Sequence, residues 1–222
     1  MHEALKAAAP HGYLLVNPGE HVTTLFEQPV PGGELDAVAM LQLLDAVGRP
    51  LGAVVLPVEV KNVRGWIYPS SWELFQLLDK AARLQLANSD LSFLPVLVCR
   101  RAHKTTFFAA HDLGFLVVDL QAQFLPPSAR IDPALLEEVR RELGYLDLAV
   151  GDEAPKALVR RLIHTVPEHA TRYADQWRLT AAAAGHLFTA LREESLAPEV
   201  RAAYVNQLRD AARTLPGTSV SR

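Results

Sequence analysis

Cysteine is almost absent from this sequence of 222 residues: Cys99 stands alone. A single thiol excludes an internal disulfide framework and a multi-cysteine zinc site. Long apolar runs are missing as well. A membrane-crossing helix takes roughly 20 consecutive apolar residues, and no uninterrupted stretch approaches that. The opening MHEALKAAAPHGY has no continuous apolar segment of signal-peptide type, so a cytoplasmic location is expected. Nor is there an excess of charge of one sign. The formal net charge is -3 and the pI is near 6.2. That balance argues against a protein that simply coats nucleic acid, but it leaves room for a local basic cleft, because steering depends on where charge sits. Internal repeats and low-complexity tracts are absent too.

What is present is a globular composition, 50% hydrophobic and 21% charged, on a chain long enough for one sizeable core. Residues up to Pro127 mix short apolar runs with turns. From about Ile131 the pattern is helical. The segment Pro126-Pro127-Ser128 marks the seam, so residues 1–127 are read as an α/β core and 128–222 as an all-α C-terminal extension.

Within the first part, Asn17 as N-cap and Pro18 at the first helical position predict a helix to about Glu27. Glu34–Leu41 and Ala53–Lys61 read as strands joined by a turn at Asp45–Arg49. Pro57 removes a ladder donor, which implies an edge strand or a bulge. Ser70 or Ser71 caps a helix to about Leu86, with Trp72, Phe75, Leu78, Ala82 and Leu86 on one face. Leu94–Cys99, a helix from Thr105 to Leu113, and Phe115–Leu120 complete a strand–helix–strand alternation with parallel crossovers. Helices are expected from Asp132 to Gly144, Glu153 to Thr165, Pro167 to Glu194 and Pro198 to Leu215.

Three charged residues stand inside the apolar strands: Asp36, Glu59 and Lys61. Burying a charge is costly, so each needs a reason. Glu59 and Lys61 are two apart on a strand and project from one face, with Val58 and Val60 on the other. Folding the hairpin about Gly48 sets Asp36 opposite Val60. A shift of one residue pairs it with Glu59 or with Lys61 and puts all three side chains on one face. Two carboxylates and an ammonium gathered in this way suit phosphodiester hydrolysis. Hard oxygens, with the Val60 carbonyl as a further ligand, bind Mg²⁺ or Mn²⁺. The metal activates a water, and the lysine orients it or steadies transition-state charge. The plain alternative is a buried ion pair with no chemistry. Cys99, in an apolar strand, is read as packing.

The segments Gly33-Glu34-Leu35-Asp36-Ala37-Val38-Ala39 and Pro57-Val58-Glu59-Val60-Lys61-Asn62 together resemble the core of the PD-(D/E)XK nuclease superfamily, over roughly Asn17 to Leu125. Leu35 stands where the motif's proline is usual, and the gap from Asp36 to Glu59 is long. The resemblance implies a restriction-endonuclease-like mixed sheet flanked by helices, in the order helix, three strands, helix, strand. It implies a divalent-metal-dependent nuclease, most simply one acting on DNA. It carries the metal-binding aspartate onto Asp36 and the Glu-x-Lys onto Glu59 and Lys61. It adds Glu20 as a first-helix metal ligand and Gln76 as a polar residue on the helix after the Glu-x-Lys strand. Glu20 near a helix start and Gln76 on a solvated face also have purely structural readings.

Basic residues surround this core: Arg64, Lys80, Arg83, Arg100, Arg101 and Lys104. Arg64, Arg100, Arg101 and Lys104 are candidates for gripping phosphates. Trp66 and Tyr68 would stack on a base or cover the sheet edge. The helices after Pro127 carry much apolar surface, which must pack on the core, on each other, or on a homodimeric or larger partner. Two rivals to the nuclease are a non-enzymatic module of the same fold that binds DNA or protein, and a hydrolase of small phosphate esters.

Overall fold

The computed structural model describes residues 1–17, 21–125, 132–144, 147–150 and 155–215. The chain begins with helix α1 (His2–Ala8) and strand β1 (Tyr13–Val16). The helix expected from Asn17 to Glu27 does not form in its described part. Asn17 has a left-handed φ of 48°, unlike an N-cap. Val22, Thr23 and Thr24 are β-branched and favour extended backbone. Val22 instead pairs with Leu35 through two backbone hydrogen bonds of 2.8 and 3.0 Å, and a small hairpin follows, β2 (Thr24–Leu25) and β3 (Gln28–Pro29). Phe26 and Glu27 turn it with positive φ at both central positions.

The large hairpin is β4 (Ala37–Leu44) and β5 (Pro50–Lys61). Asp45 shapes its turn: Oδ1 accepts the N–H groups of Val47 and Arg49 at 2.9 and 2.8 Å. The register runs from Leu43 opposite Gly52 to Ala37 opposite Val58, after a shift between Leu43 and Leu44. Helix α2 (Trp72–Ala87) leads to β6 (Ser92–Phe93) and β7 (Val96–Cys99), then α3 (Lys104–Leu113) and β8 (Leu116–Asp119). The sheet order is β1-β4-β5-β7-β8, with β6 also on β5. β1, β4 and β5 are antiparallel neighbours, while β5, β7 and β8 run parallel. The protein is thus α/β with a mixed sheet. Pro57 lies on a central strand, not an edge. The β5 register with β6 and β7 sets it level with Pro95, in the gap between those two short strands, where the ladder is already interrupted.

Beyond β8 come β9 (Gln123–Leu125), α4 (Pro133–Leu143) and β10 (Leu148–Val150), which pairs parallel with β9. The region after residue 127 therefore contains a strand and is not wholly helical. Helix α5 (Lys156–Arg160), a π turn at Arg161–Thr165, and α6 (Val166–Leu191) form one continuous rod, followed by α7 (Pro198–Thr214). Pro167 does not break it. The wider π turn just before it accommodates the missing donor, and the Tyr13 hydroxyl donates to the Leu162 carbonyl there at 2.6 Å.

The sheet has a core on each face. Leu5, Tyr13, Leu41, Leu56 and Val58 join Leu158, Leu162 and Val166 on one side. Val38, Val55, Phe75, Leu78, Phe93 and Leu97 join Phe188 and Val205 on the other. Helix α6 spans 26 residues, about 39 Å at 1.5 Å per residue. Its first half serves one core and its second half the other. Buried Asp79 ties α2 to its end, accepting from Thr189 Oγ1 at 2.6 Å and Arg192 Nη1 at 2.7 Å. Of the apolar residues expected to pack on the core, on each other or on a second chain, Leu158, Leu162, Leu187, Phe188, Leu191, Val205 and Leu208 are buried within this chain, Tyr204 is half-buried and Leu179 is exposed. Among the described residues no helix is long and apolar enough to cross a membrane.

Candidate active site

Strand alternation fixes the first two groups. Val58 faces the core beneath α1 and α5, so Glu59 and Lys61 face α2. Glu59 is only 3% exposed. Helix α2 presents Gln76 and Lys80, four apart and hence on one face, directly over them. Lys61 Nζ donates to Glu59 Oε2 at 2.8 Å and to Gln76 Oε1 at 2.7 Å. Lys80 Nζ donates to Glu59 Oε1 at 2.5 Å and to the Glu34 carbonyl at 2.5 Å. Each Glu59 oxygen therefore has its own ammonium. A carboxylate this buried stays compatible with folding because it is paired on both sides.

Asp36 sits where β4 begins. The register places it one step beyond the Ala37–Val58 pair, level with Glu59. The bend there breaks the alternation: Leu35 joins the core under α2, and Ala37 the opposite one. Asp36 Oδ2 accepts the Val60 N–H at 2.6 Å. Its Oδ1 lies 3.4 Å from His21 Nδ1, which is also 3.8 Å from Glu34 Oε1. Burial raises the Asp36 pKa above its ordinary value; the Val60 N–H opposes this, and the Glu59 charge adds to it. In a strand the N–H and C=O of one residue point the same way, so the Val60 carbonyl opens toward Asp36 as well.

The other expected residues divide. Gln76 joins the site. Glu20 lies outside the described residues. The first helix is α1, and its glutamate, Glu3, is exposed and paired with Lys6 at 2.7 Å. Arg100 is 5% exposed and does not present its charge to a phosphate. Its Nε and Nη2 donate to Asp147 at 2.7 and 2.5 Å, and this pairing holds the Asp147 pKa below the usual range. Arg101 Nη2 lies 3.1 Å from the same carboxylate and is partly exposed. Arg64 and Lys104 are exposed. Burial pushes the Cys99 thiol up to about 12, so it is no nucleophile.

Sequence reasoning saw Lys80 only as part of a basic surface. Its spacing of four from Gln76 was the available signal. The hydrogen bond to Glu59, 21 positions earlier, has no sequence signature. His21 lies in the segment where Asn17 and Pro18 predict a helix, a pattern that gives no sign of its approach to Asp36.

Hard-oxygen donors for a divalent ion exist in Asp36, Glu59 and the Val60 carbonyl. Among the described residues no three His, Cys, Asp or Glu side chains form a metal-binding group. Compared with family models, curated proteins and solved structures, the chain matches none.

Proposed function

We propose that this chain is a divalent-metal-dependent nuclease with a restriction-endonuclease-like core, hydrolysing phosphodiester bonds in DNA. The observation that carries the reading is the level pairing of Asp36 with Glu59 where β4 and β5 meet, with Lys61 and Gln76 on the α2 side. The order of the main-sheet elements supports it: α1, the antiparallel strands β1, β4 and β5, then α2 and the parallel strand β7, with the β2–β3 hairpin inserted before β4 and the short β6 before β7.

The donors fit Mg²⁺ or Mn²⁺ in kind: Asp36, Glu59 and the Val60 carbonyl would hold the ion. When bound, such an ion polarises a phosphoryl oxygen and lowers the pKa of a water. The remaining work falls to the chain. Lys61, steadied by Gln76, donates a hydrogen bond to the attacking water or to a phosphate oxygen as negative charge grows there. Lys80 ties Glu59 to the backbone leading into Asp36. Val60 N–H holds Asp36 in its rotamer.

One observation favours the rival reading, a catalytically inactive module that binds DNA or a protein. Both Glu59 oxygens already carry ammonium partners, so two carboxylates and two lysines sum to no net charge. The test is nicking of supercoiled plasmid with Mg²⁺ or Mn²⁺. A nuclease cuts, stops on addition of EDTA, and loses cleavage in Glu59→Ala and Asp36→Ala. A module gives no cleavage under any of these conditions, and that result overturns the nuclease.

A further inference from the structure

We propose that the face formed by the 62–69 loop, the start of α3, and α7 binds single-stranded nucleic acid, with unpaired bases stacking on Trp66 and Tyr68. This rests on the nuclease reading and names the form of substrate strand that the protein holds.

Large aromatics normally hide from water, yet Trp66 is 49%, Tyr68 45% and Phe108 66% exposed, and all three lie on this face. Two of the rings pack against one imidazole. Tyr68 stacks on His103 with centroids 4.9 Å apart and planes at 29°, and Trp66 meets the same imidazole edge-on at 6.3 Å. His103 caps α3 with Nδ1, which accepts the Thr105 N–H at 3.4 Å and lies 2.8 Å from Thr105 Oγ1. The loop is pinned beneath them. Buried Ile67 donates its N–H to the Arg101 carbonyl at 2.9 Å, and its own carbonyl accepts from the His103 N–H at 2.9 Å and the Thr106 hydroxyl at 2.8 Å. A platform already held in place loses little freedom when a base settles on it.

The platform continues into a groove of about 690 Å³ between α3 and α7, walled by Pro69, Phe108 and Thr105. Its apolar floor includes Leu74, Phe75 and Leu208. Lys104 lies beside it, and Arg209 and Arg213 line it. The opposing charges are Asp112, which also lines the groove, and Asp210, 3.1 Å from Arg213. On a chain of net charge -3, Lys104, Arg209 and Arg213 outnumber Asp112 and Asp210 by one, a local positive excess of the sign that draws a polyanion. Aromatic faces set among cations are how single strands are held without reading sequence. A duplex keeps its base faces stacked on one another, so flat exposed rings have nothing to grip on it.

The position relates this surface to the candidate active site. Helix α2 gives Leu74 and Phe75 to the groove and the next residue, Gln76, to Lys61. The loop that carries Trp66 and Tyr68 follows directly from Lys61 at the end of β5. Trp66 and Tyr68 thus stand five and seven residues along the chain from Lys61.

The test is fluorescence anisotropy of a labelled single-stranded oligonucleotide and of its duplex, on the full chain, in EDTA so that nothing is cut. The single strand should bind more tightly than the duplex. Each of Trp66→Ala and Tyr68→Ala should weaken it by about tenfold, within the range of one lost stacking contact. Tyr68→Phe, which keeps the ring, should bind as the parent does. Unchanged affinity in the Trp66→Ala/Tyr68→Ala double variant overturns the proposal, as does a preference for duplex. Failure of the parent chain to bind at low salt also overturns it and would leave the face to a protein partner. Glu59→Ala separates the two readings: it should lose the Mn²⁺-dependent cleavage of both the plasmid and the single-stranded oligonucleotide that the parent chain shows, yet bind the oligonucleotide in EDTA. Binding without cleavage in the parent chain sinks the nuclease alone, and cleavage without a response to ring removal sinks this surface alone.

Discussion

Replacing Lys80 by Met tests how the candidate site is held together. The methionine keeps most of the buried stem and removes the ammonium. Two hydrogen bonds go with it, one to Glu59 Oε1 and one to the Glu34 carbonyl. Removing one partner of a buried ion pair costs about 3–5 kcal/mol. Here Lys61 still holds the other Glu59 oxygen, so the loss should fall to about 2–4 kcal/mol, close to that of one charged hydrogen bond plus an unsatisfied carbonyl. Urea unfolding in EDTA measures it. The second part of the prediction is a recovery on adding Mn²⁺, because the cation then takes the charge-neutralising place of the ammonium. Binding to the folded state alone adds about 2.7 kcal/mol when the ion stands at a hundred times its dissociation constant. Lys6→Met is the control: its pair with Glu3 is exposed, and its midpoint should not move measurably. A Lys80→Met loss below about 0.5 kcal/mol, less than a typical intramolecular hydrogen bond contributes, would refute the pairing.

Two further expectations concern Asp36 and the packing of α6. Burial raises the Asp36 pKa, so in the window just above the ordinary aspartate value the folded chain holds a proton that the unfolded chain has released. Stability from this group therefore rises as pH falls through that window, and above it the cost of burying the charge is fully present. Asp36→Asn, which still accepts the Val60 N–H, should unfold at higher urea at neutral pH and show a flatter pH profile in mild acid; a lower midpoint at neutral pH would contradict this. Gly114 has φ of 79°, and a Cβ there would lie 2.4 Å from Trp177 N and 2.6 Å from Tyr173 O of α6. Gly114→Ala should destabilise the fold by more than the roughly 1 kcal/mol of a strained backbone position, read as a drop in melting temperature, and an unchanged melting temperature would show that α6 does not press on this turn.

Local sequence was sufficient wherever a residue's fate depends on its near neighbours. Alternation through Val58-Glu59-Val60-Lys61 put both charged groups on one face, and the structure has both facing α2. The apolar spacing from Trp72 onward gave α2 to within a residue or two, and Gly114 ended α3 as expected. These follow from backbone geometry and side-chain period, which a short window contains. The hairpin register was different. The shift between Leu43 and Leu44 arises from how the Asp45 turn closes, and it decided among three readings that Asp36 stands level with Glu59. The segment after Asn17 carried helix-start signals, but the pairing of Val22 with Leu35 outweighed them. Arg100 had the sequence of a phosphate-binding residue until Asp147, 47 positions later, folded onto it. Likewise Lys80 became the partner of Glu59 only once α2 lay across β5. Each of these outcomes is fixed by a contact between residues far apart in the chain, whose energy depends on burial and exact distance. Neither quantity exists until the elements have packed.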